Sequence, residues 1–409
     1  MDIQLIHIGN ELLNGIRINS HLTYLGKEFQ KYNLPISRAY IIPDTESAIR
    51  SVFTEAIQKA DFIIATGGLG PTVDDCTKEV VANLLELPLH DHPPTKDKLN
   101  RFIKEKKHSY GKAFLQQQKV PQGAEVLENL VGTAPGLKIC VDNKIIILLP
   151  GPPRELIPMF EKQVIPYLEK TESIPRGGEN ILIQTAFLAE SLLQNIIFDT
   201  FKNRYKSLNV SLCAHNCGVS VQLTDTKKKY GKTKLDSIAS ELQKALGKDF
   251  VAYGETSIAE ELVKKLTKSG KTISTGESCT GGLISSLLTD VPGASKVFLG
   301  SSILYTNQSK TQNNIVPENL IQEHGAVSEA VAKAMVLGIA KKYQSDYAIS
   351  TTGYLDSNIG DQKIPPGTVF IGIKSPDKIL VLRTQNKGSR NYLKQRTALF
   401  ALDKVRRLL

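Results

Sequence analysis

The chain has 409 residues, enough for two or three domains with separate cores at roughly 150 residues per domain. With 41% hydrophobic and 22% charged residues, 30 glycines and 19 prolines, the composition excludes a disordered, collagenous or coiled-coil chain. The 51 Lys and Arg against 41 Asp and Glu give a formal charge of +10, which favours anionic partners, phosphates among them.

In chain order, IQLIHIG (residues 3–9) reads as a strand, HLTYLGKEFQKY as a helix, SRAYIIP as a strand, TESAIRSVFTEAIQKA as a helix and DFIIATGG as a strand. Helices and strands in such alternation imply a parallel sheet covered on both faces. The stretch from Lys96 to Lys112 alternates basic with apolar residues at helical spacing and reads as a solvated helix face, not a nucleic-acid patch. KIIILLPG is a further strand and RELIPMFEKQVIPYLEK one helix, ending at the Pro/Gly stretch SIPRGGE, residues 173–179. A segment to residue 255, with ILIQTAFL, VSVQLT, a Lys-rich turn at 227–229 and SIASELQKAL, reads as a small α+β connector. From Ser257 the alternation resumes through TISTGESCTGGLISSLLTD, VFLGSSILYT, SEAVAKAMVLGIAKKY, DYAIST and GTVFIGIK to a terminal amphipathic helix. The expected fold is therefore α/β: two three-layer α/β domains, 1–172 and 256–409, joined by an α+β connector at 173–255.

No run approaches the roughly 20 apolar residues of a membrane span, and the first residues do not resemble a signal peptide, so a cytoplasmic protein is expected. The five cysteines, at 76, 140, 213, 217 and 279, are dispersed and fit a reducing compartment. Cys213, His215 and Cys217 lack a second ligand pair, and no zinc is expected there.

Two constellations carry chemistry. In TGGLGPTxDD, Gly67, Gly68 and Gly70 let backbone amides approach an anion ahead of a helix N-terminus. Asp74 and Asp75 in the first turn of that helix admit two readings. Either Thr72 and Asp75 form a capping box, or the carboxylates hold a divalent cation against a bound phosphate. GTAPG (132–136) and PGPPRE (150–155) supply further constrained loops, with Arg154 as a phosphate clamp and Glu155 as a ligand for a metal or water. In TGESCTGG, Ser278 stands between a strand and a helix N-terminus, beside amides able to hold an oxyanion. It is either an N-cap or a nucleophile whose base is Lys310, with Tyr305 relaying or orienting the proton. Cys279 is the competing nucleophile, and His324 the only nearby histidine in sequence.

Together, TGGLGPTxDD, GTAPG and PGPPRE resemble the N-terminal domain of the CinA family, which is related to the molybdopterin-binding MoaB/MogA domains. The resemblance implies hydrolysis of ADP-ribose to AMP and ribose 5-phosphate with a divalent metal, magnesium or cobalt. It carries over Asp74, Asp75 and Glu155 as metal candidates, and Thr77 and the glycines as site residues, beside Thr72 and Arg154 as substrate-binding candidates from the residues themselves. Glu11 in IGNELLNG fits the family segment, while INSH puts His21 where the family has a second Asn. ESCTGG, YTNxxK, GAVSE and PxGTVxIG resemble the C-terminal domain of the same family, the nicotinamide-nucleotide amidases. This implies metal-free deamidation of nicotinamide mononucleotide by Ser278, Tyr305 and Lys310, with Thr280, Gly281 and Gly282 lining the site and Arg390 holding the phosphate. After AISTTG the family's IAGP is replaced by YLDSN, where Tyr354, Leu355 and Asp356 are expected to obstruct the substrate. The alternative is a nucleotide- or pterin-binding protein with a vestigial amidase site. MoaB-like domains often self-associate, which implies a homodimer; the other implied partners are small nucleotides.

Overall fold

The computed structural model describes all residues except 33, 73, 107–111, 171–178, 203, 226–228 and 356–363. The expected boundary at 173–178, most of the Lys-rich turn and Asp356 therefore lie outside the described residues. The chain divides into two compact units, Met1–Gly178 and Glu179–Leu409, so the segment expected as a connector belongs to the second unit.

The first unit is built on a six-stranded sheet. Strands β1 (Ile3–Ile8), β2 (Ile36–Ile42) and β3 (Phe62–Thr66) are followed by the small pair β4 (Leu89–Asp91) and β5 (Lys119–Pro121). Then come β6 (Glu125–Leu127), β7 (Gly136–Val141) and β8 (Lys144–Leu149). The order is β2-β1-β3-β8-β7-β6. β1 and β3 are buried along their whole length, as expected of central parallel strands that helices cover on both faces. The wholly parallel sheet expected from the alternation stops at β8. β7 runs antiparallel to it, because the two-residue turn Asp142-Asn143, with φ of 48° and 63°, closes a hairpin. The helix expected over 154–170 is interrupted by a π turn at Phe160–Val164, where Pro166 has no amide to continue the α ladder. The helix Pro93–Lys106 is present, and much of its basic surface is exposed.

In the second unit, β9 (Asn180–Thr185), β10 (Asn209–His215), β11 (Gly218–Thr224) and β12 (Phe250–Tyr253) form an antiparallel sheet in the order β10-β11-β9-β12. Helices Glu190–Phe201 and Gly231–Leu246 pack on it through Leu193, Leu235, Ile238 and Leu242. Strands β13 (Ile273–Glu277), β14 (Phe298–Ile303), β15 (Tyr347–Gly353), β16 (Thr368–Lys374) and β17 (Ile379–Gln385) form a second sheet in the order β14-β13-β15-β16-β17. Its first three strands are parallel; β16 and β17 are antiparallel, β17 following through a short turn in which Ser375 N donates to Lys378 O.

The terminal helix Arg390–Arg406 is less simply amphipathic than its sequence suggests. Thr397, Asp403 and Arg406 sit on its buried side. Asp403 and Arg406, 0% and 3% exposed, pair at 2.6 Å, and Arg406 also donates to the carbonyls of Lys248 and Phe250. Arg407 bonds both Asp403 and Asp249. This network ties the C-terminal helix to the start of β12. No helix among the described residues is long and apolar enough to cross a membrane.

Candidate functional site

Two places gather the residues that the sequence singles out. In the first unit, the order β2-β1-β3 means that the chain leaves β1 in one direction and β3 in the other, and a crevice opens at the carboxyl ends of such strands. A cleft of about 620 Å³ lies there, within the range of small-molecule sites. It is lined by Gly67, Gly68, Gly70, Thr72, Asp74, Asp75, Arg154 and Glu155, and also by Glu11, Arg17 and Asp44.

The loop after β3 needs its glycines. Gly67 and Gly68 have φ of 104° and 69°; a Cβ would lie 2.2 Å from Ile8 O at the first and 2.0 Å from Thr77 Oγ1 at the second. Thr77 is fully buried: its hydroxyl donates to Gly67 O and its amide to Gly68 O, so it fastens the loop to the helix. That helix starts at Thr77, later than expected, so Asp74 and Asp75 precede its first turn. Asp75 instead closes a turn of its own, accepting from the amide and hydroxyl of Thr72 at 2.9 and 2.5 Å.

The expected metal set is not assembled. Asp75 Oδ2 is engaged by Thr72, and Glu155 Oε2 accepts from Asn129 Nδ2 at 2.7 Å. Among the described residues no three His, Cys, Asp or Glu side chains converge to hold a metal ion. Asp74, Asp75 and Glu155 thus do not fit a protein-built magnesium or cobalt site.

His21 does not line the cleft. Its Nδ1 is 3.2 Å from Thr66 Oγ1, which also bonds His7 Nδ1 at 3.0 Å, and it interacts with the backbone of Gly151. Burial lowers the pKa of His21, and pushes that of the fully buried His7 down from 6.5 to about 4, the neighbouring His21 adding to the effect. A depressed folded pKa means that the unfolded chain binds more protons between these values. His7 therefore stabilises nothing extra above pH 6.5 and costs stability as pH falls toward 4. Urea midpoints should drop over this window, and the drop should shrink in His7→Gln; an equal acid dependence in both proteins would contradict the assignment.

In the second unit, β13 ends at Glu277 and the chain turns through Ser278, Cys279, Thr280, Gly281 and Gly282 into the helix Leu283–Thr289. Glu277, fully buried, accepts from the amides of Gly282, Ile284 and Ser285 and from the Ser285 hydroxyl, satisfying the donors at the helix start. The Ser278 amide donates to Thr351 O. Of the amides expected beside the serine, that of Cys279 faces its own thiol, and that of Thr280 donates to no backbone acceptor among the described residues and remains for an oxyanion. The Thr280 side chain is fully buried and bonded to Thr351 Oγ1 at 2.8 Å, so its hydroxyl is not a substrate contact.

Lys310 is brought in by a short helix, Asn307–Thr311. Thr306 caps it, accepting from Ser309 N while Ser309 Oγ accepts from Thr306 N. The Lys310 side chain is 2% exposed, with Nζ 3.0 Å from Ser278 Oγ, 2.8 Å from Leu304 O and 3.4 Å from Tyr305 O. Burial lowers its pKa. Two carbonyls take two N–H groups, and the third position on nitrogen faces the serine hydroxyl. Cys279 is 7% exposed and its thiol is pushed up to about 12 by burial, which leaves it protonated at neutral pH and a poor nucleophile beside Ser278.

Tyr305 does not sit between Ser278 and Lys310. It is 57% exposed and its hydroxyl accepts from Arg390 Nη2 at 3.0 Å, so the direct amine–hydroxyl contact replaces the expected relay. Arg390, at the first turn of the terminal helix, therefore flanks the site, and Lys394 joins it: a Cβ at Gly281 would lie 3.5 Å from Lys394 Nζ. Lys394 was missed in the sequence, although its place one helical turn after Arg390 is a usable signal. His324 pairs with adjacent Glu323 instead of the serine. Nor do Tyr354 and Leu355 obstruct the site: Leu355 is 2% exposed in the core, and Tyr354 packs against Val327, Ala332 and Phe370. The two-thiol stretch places Cys217 Sγ 3.3 Å from His215 Nδ1.

This is an α/β protein with a glycine-loop cleft in its first unit and a buried Ser–Lys pair in its second. Residues 4–170 match the family described as "Probable molybdopterin binding domain", and residues 255–409 that described as "CinA C-terminal domain". A CinA-like protein of Kosmotoga olearia is 36% identical over 100% of this chain and 99% of its own length. One of Dictyoglomus turgidum is 34% identical, again over 100% of this chain and 99% of that one. A solved CinA structure from Thermoplasma acidophilum, of unknown function, is 29% identical, with TM-score 0.38 over 42% of this chain and 96% of that one. The chain belongs to the CinA family.

Proposed function

We propose that the C-terminal site deamidates nicotinamide mononucleotide to nicotinate mononucleotide and ammonia. The reading rests on one observation above all, the 3.0 Å contact between the buried Lys310 amine and the Ser278 hydroxyl. Neutral Lys310 takes the proton as Ser278 Oγ bonds to the carboxamide carbon, and the amide of Thr280 receives the developing oxyanion. The lysine returns the proton to the leaving nitrogen, the C–N bond breaks and ammonia departs. Water, deprotonated by the same lysine, then hydrolyses the acyl-serine. Arg390 and Lys394 supply the positive charge that a nucleotide phosphate requires. The test is chromatographic detection of nicotinate mononucleotide after incubation of the protein with nicotinamide mononucleotide. Product from the wild type and none from Ser278→Ala supports the reading; no product from the folded wild type rejects it.

The first-unit cleft favours a second reading, binding of a phosphorylated riboside such as ADP-ribose. Glycine amides after β3 and the guanidinium groups of Arg17 and Arg154 line one concavity, a combination suited to phosphate oxygens. Release of AMP from ADP-ribose, assayed with magnesium and with cobalt beside Asp75→Ala, separates turnover from binding alone.

A further inference from the structure

The turn that presents Ser278 is closed by the residue just before it. Glu277, the last residue of β13, is fully buried, and its carboxylate reaches over the turn to the helix Leu283–Thr289. Oε2 accepts from Gly282 N at 3.0 Å and Ile284 N at 3.1 Å, and Oε1 from Ser285 N at 2.9 Å and Ser285 Oγ at 2.6 Å. A helix start is ordinarily satisfied by the side chain of its own N-cap residue. Here the N-cap is Gly282, with φ of 93° and no side chain, and the acceptor comes from five residues upstream. Burying a carboxylate that neutral donors hold is costly, and capping alone does not require it. What it adds is a tie from strand to helix across residues 278–281, which carry the nucleophile. The same residue reaches the base through its main chain: Glu277 O accepts from Leu304 N at 2.7 Å, and Leu304 O accepts from Lys310 Nζ at 2.8 Å. Gly281 and Gly282 lie at left-handed φ, 56° and 93°, and glycines leave such a turn free to relax once its far end is released.

We infer that Glu277 is a positioning residue for the amidase: its side chain holds the turn so that Ser278 Oγ lies 3.0 Å from Lys310 Nζ. The inference rests on the reading of the Ser–Lys pair as the amidase centre, and adds what sets their separation. Replacing the carboxylate by an amide puts an NH2 group against N–H donors, so part of the clasp opens while shape and volume are kept. Alignment of serine and base is lost, whereas Arg390 and Lys394, on the terminal helix, still hold the substrate. Misplacement on the scale of about 1 Å costs about 10²-fold in rate.

The experiment takes two readouts from the full chain. Glu277→Gln should lower kcat for nicotinamide mononucleotide by about 10²-fold and leave KM within about twofold. In a Lys310→Met background the same substitution should cost little more, because the alignment it disturbs no longer has a base to serve. The second readout is independent of the substrate: phosphonylation of Ser278 by an alkyl fluorophosphonate, followed by intact mass, with Ser278→Ala as the blank. Oγ bonds to phosphorus, fluoride leaves and the hydroxyl proton passes to Lys310, so the labelling rate reads the pair alone and should fall about 10²-fold in Glu277→Gln. Ser285→Ala, which removes one bond and leaves the charge in place, should slow labelling about threefold, and carries the test if Glu277→Gln does not fold. Unchanged labelling in folded Glu277→Gln, or in Ser285→Ala, overturns the inference. So does a loss that adds in full to that of Lys310→Met, which marks a structural role. Failure of the wild type to release nicotinate mononucleotide while Ser278 is still labelled overturns the deamidation reading alone, and the labelling rates then decide this inference.

Discussion

Lys310→Met should lower kcat/KM for nicotinamide mononucleotide by about 10³-fold while leaving the chain folded. The lysine is buried, with its amine 3.0 Å from Ser278 Oγ, so removing it removes the only base in contact with the nucleophile among the described residues. Methionine is close in length and apolar, and the replaced amine is one that burial already disfavours as a cation. Thermal stability should therefore hold or rise, which separates a catalytic loss from a folding loss. The wild-type pH profile follows from the same shift. The amine must be neutral to accept the serine proton, and burial lowers its pKa from the ordinary 10.5, so activity should rise with pH along an acid limb whose midpoint lies below that value. Lys310→Arg should be as inactive as Lys310→Met, because a guanidinium stays charged. Wild-type-like turnover in Lys310→Met would remove Lys310 from the mechanism.

The largest effect on stability is expected at Asp403. Its carboxylate is fully buried and shared by Arg406 and Arg407, which also hold Lys248 O, Phe250 O and Asp249. Asp403→Ala should destabilise the chain by about 3–5 kcal/mol, because it leaves a buried guanidinium without its counter-charge. Replacing both partners, as Asp403→Leu with Arg406→Met, should recover most of that loss, since no charge is then stranded. Urea denaturation of the three proteins measures both effects. A loss under about 1 kcal/mol in Asp403→Ala would show that water reaches the pair and screens it.

Much of the architecture was legible because hydrophobic period and glycine placement are local signals. Alternating runs such as IQLIHIG and DFIIATGG marked central strands, and TGGLG marked the loop that only glycine can make at Gly67 and Gly68. The antiparallel additions were less visible. β7 is a short run whose pairing depends on the Asp142-Asn143 turn, and β17 on the turn at Ser375–Lys378, so neither announces its direction through periodicity.

By itself the sequence determined the residue types present at each site: a serine in a glycine turn, a lysine 32 residues later, and carboxylates and arginines beside constrained loops. It could not decide which of them meet, because a contact between distant residues depends on strand order and helix packing. The tertiary structure brought Lys310 directly to Ser278 and drew the Tyr305 hydroxyl away to Arg390. Asp75 and Glu155 became partners of Thr72 and Asn129, not a metal set, and His21 turned to Thr66. Leu355 was folded into the core, where apolar burial outweighs the position in a loop that made it look like an obstruction.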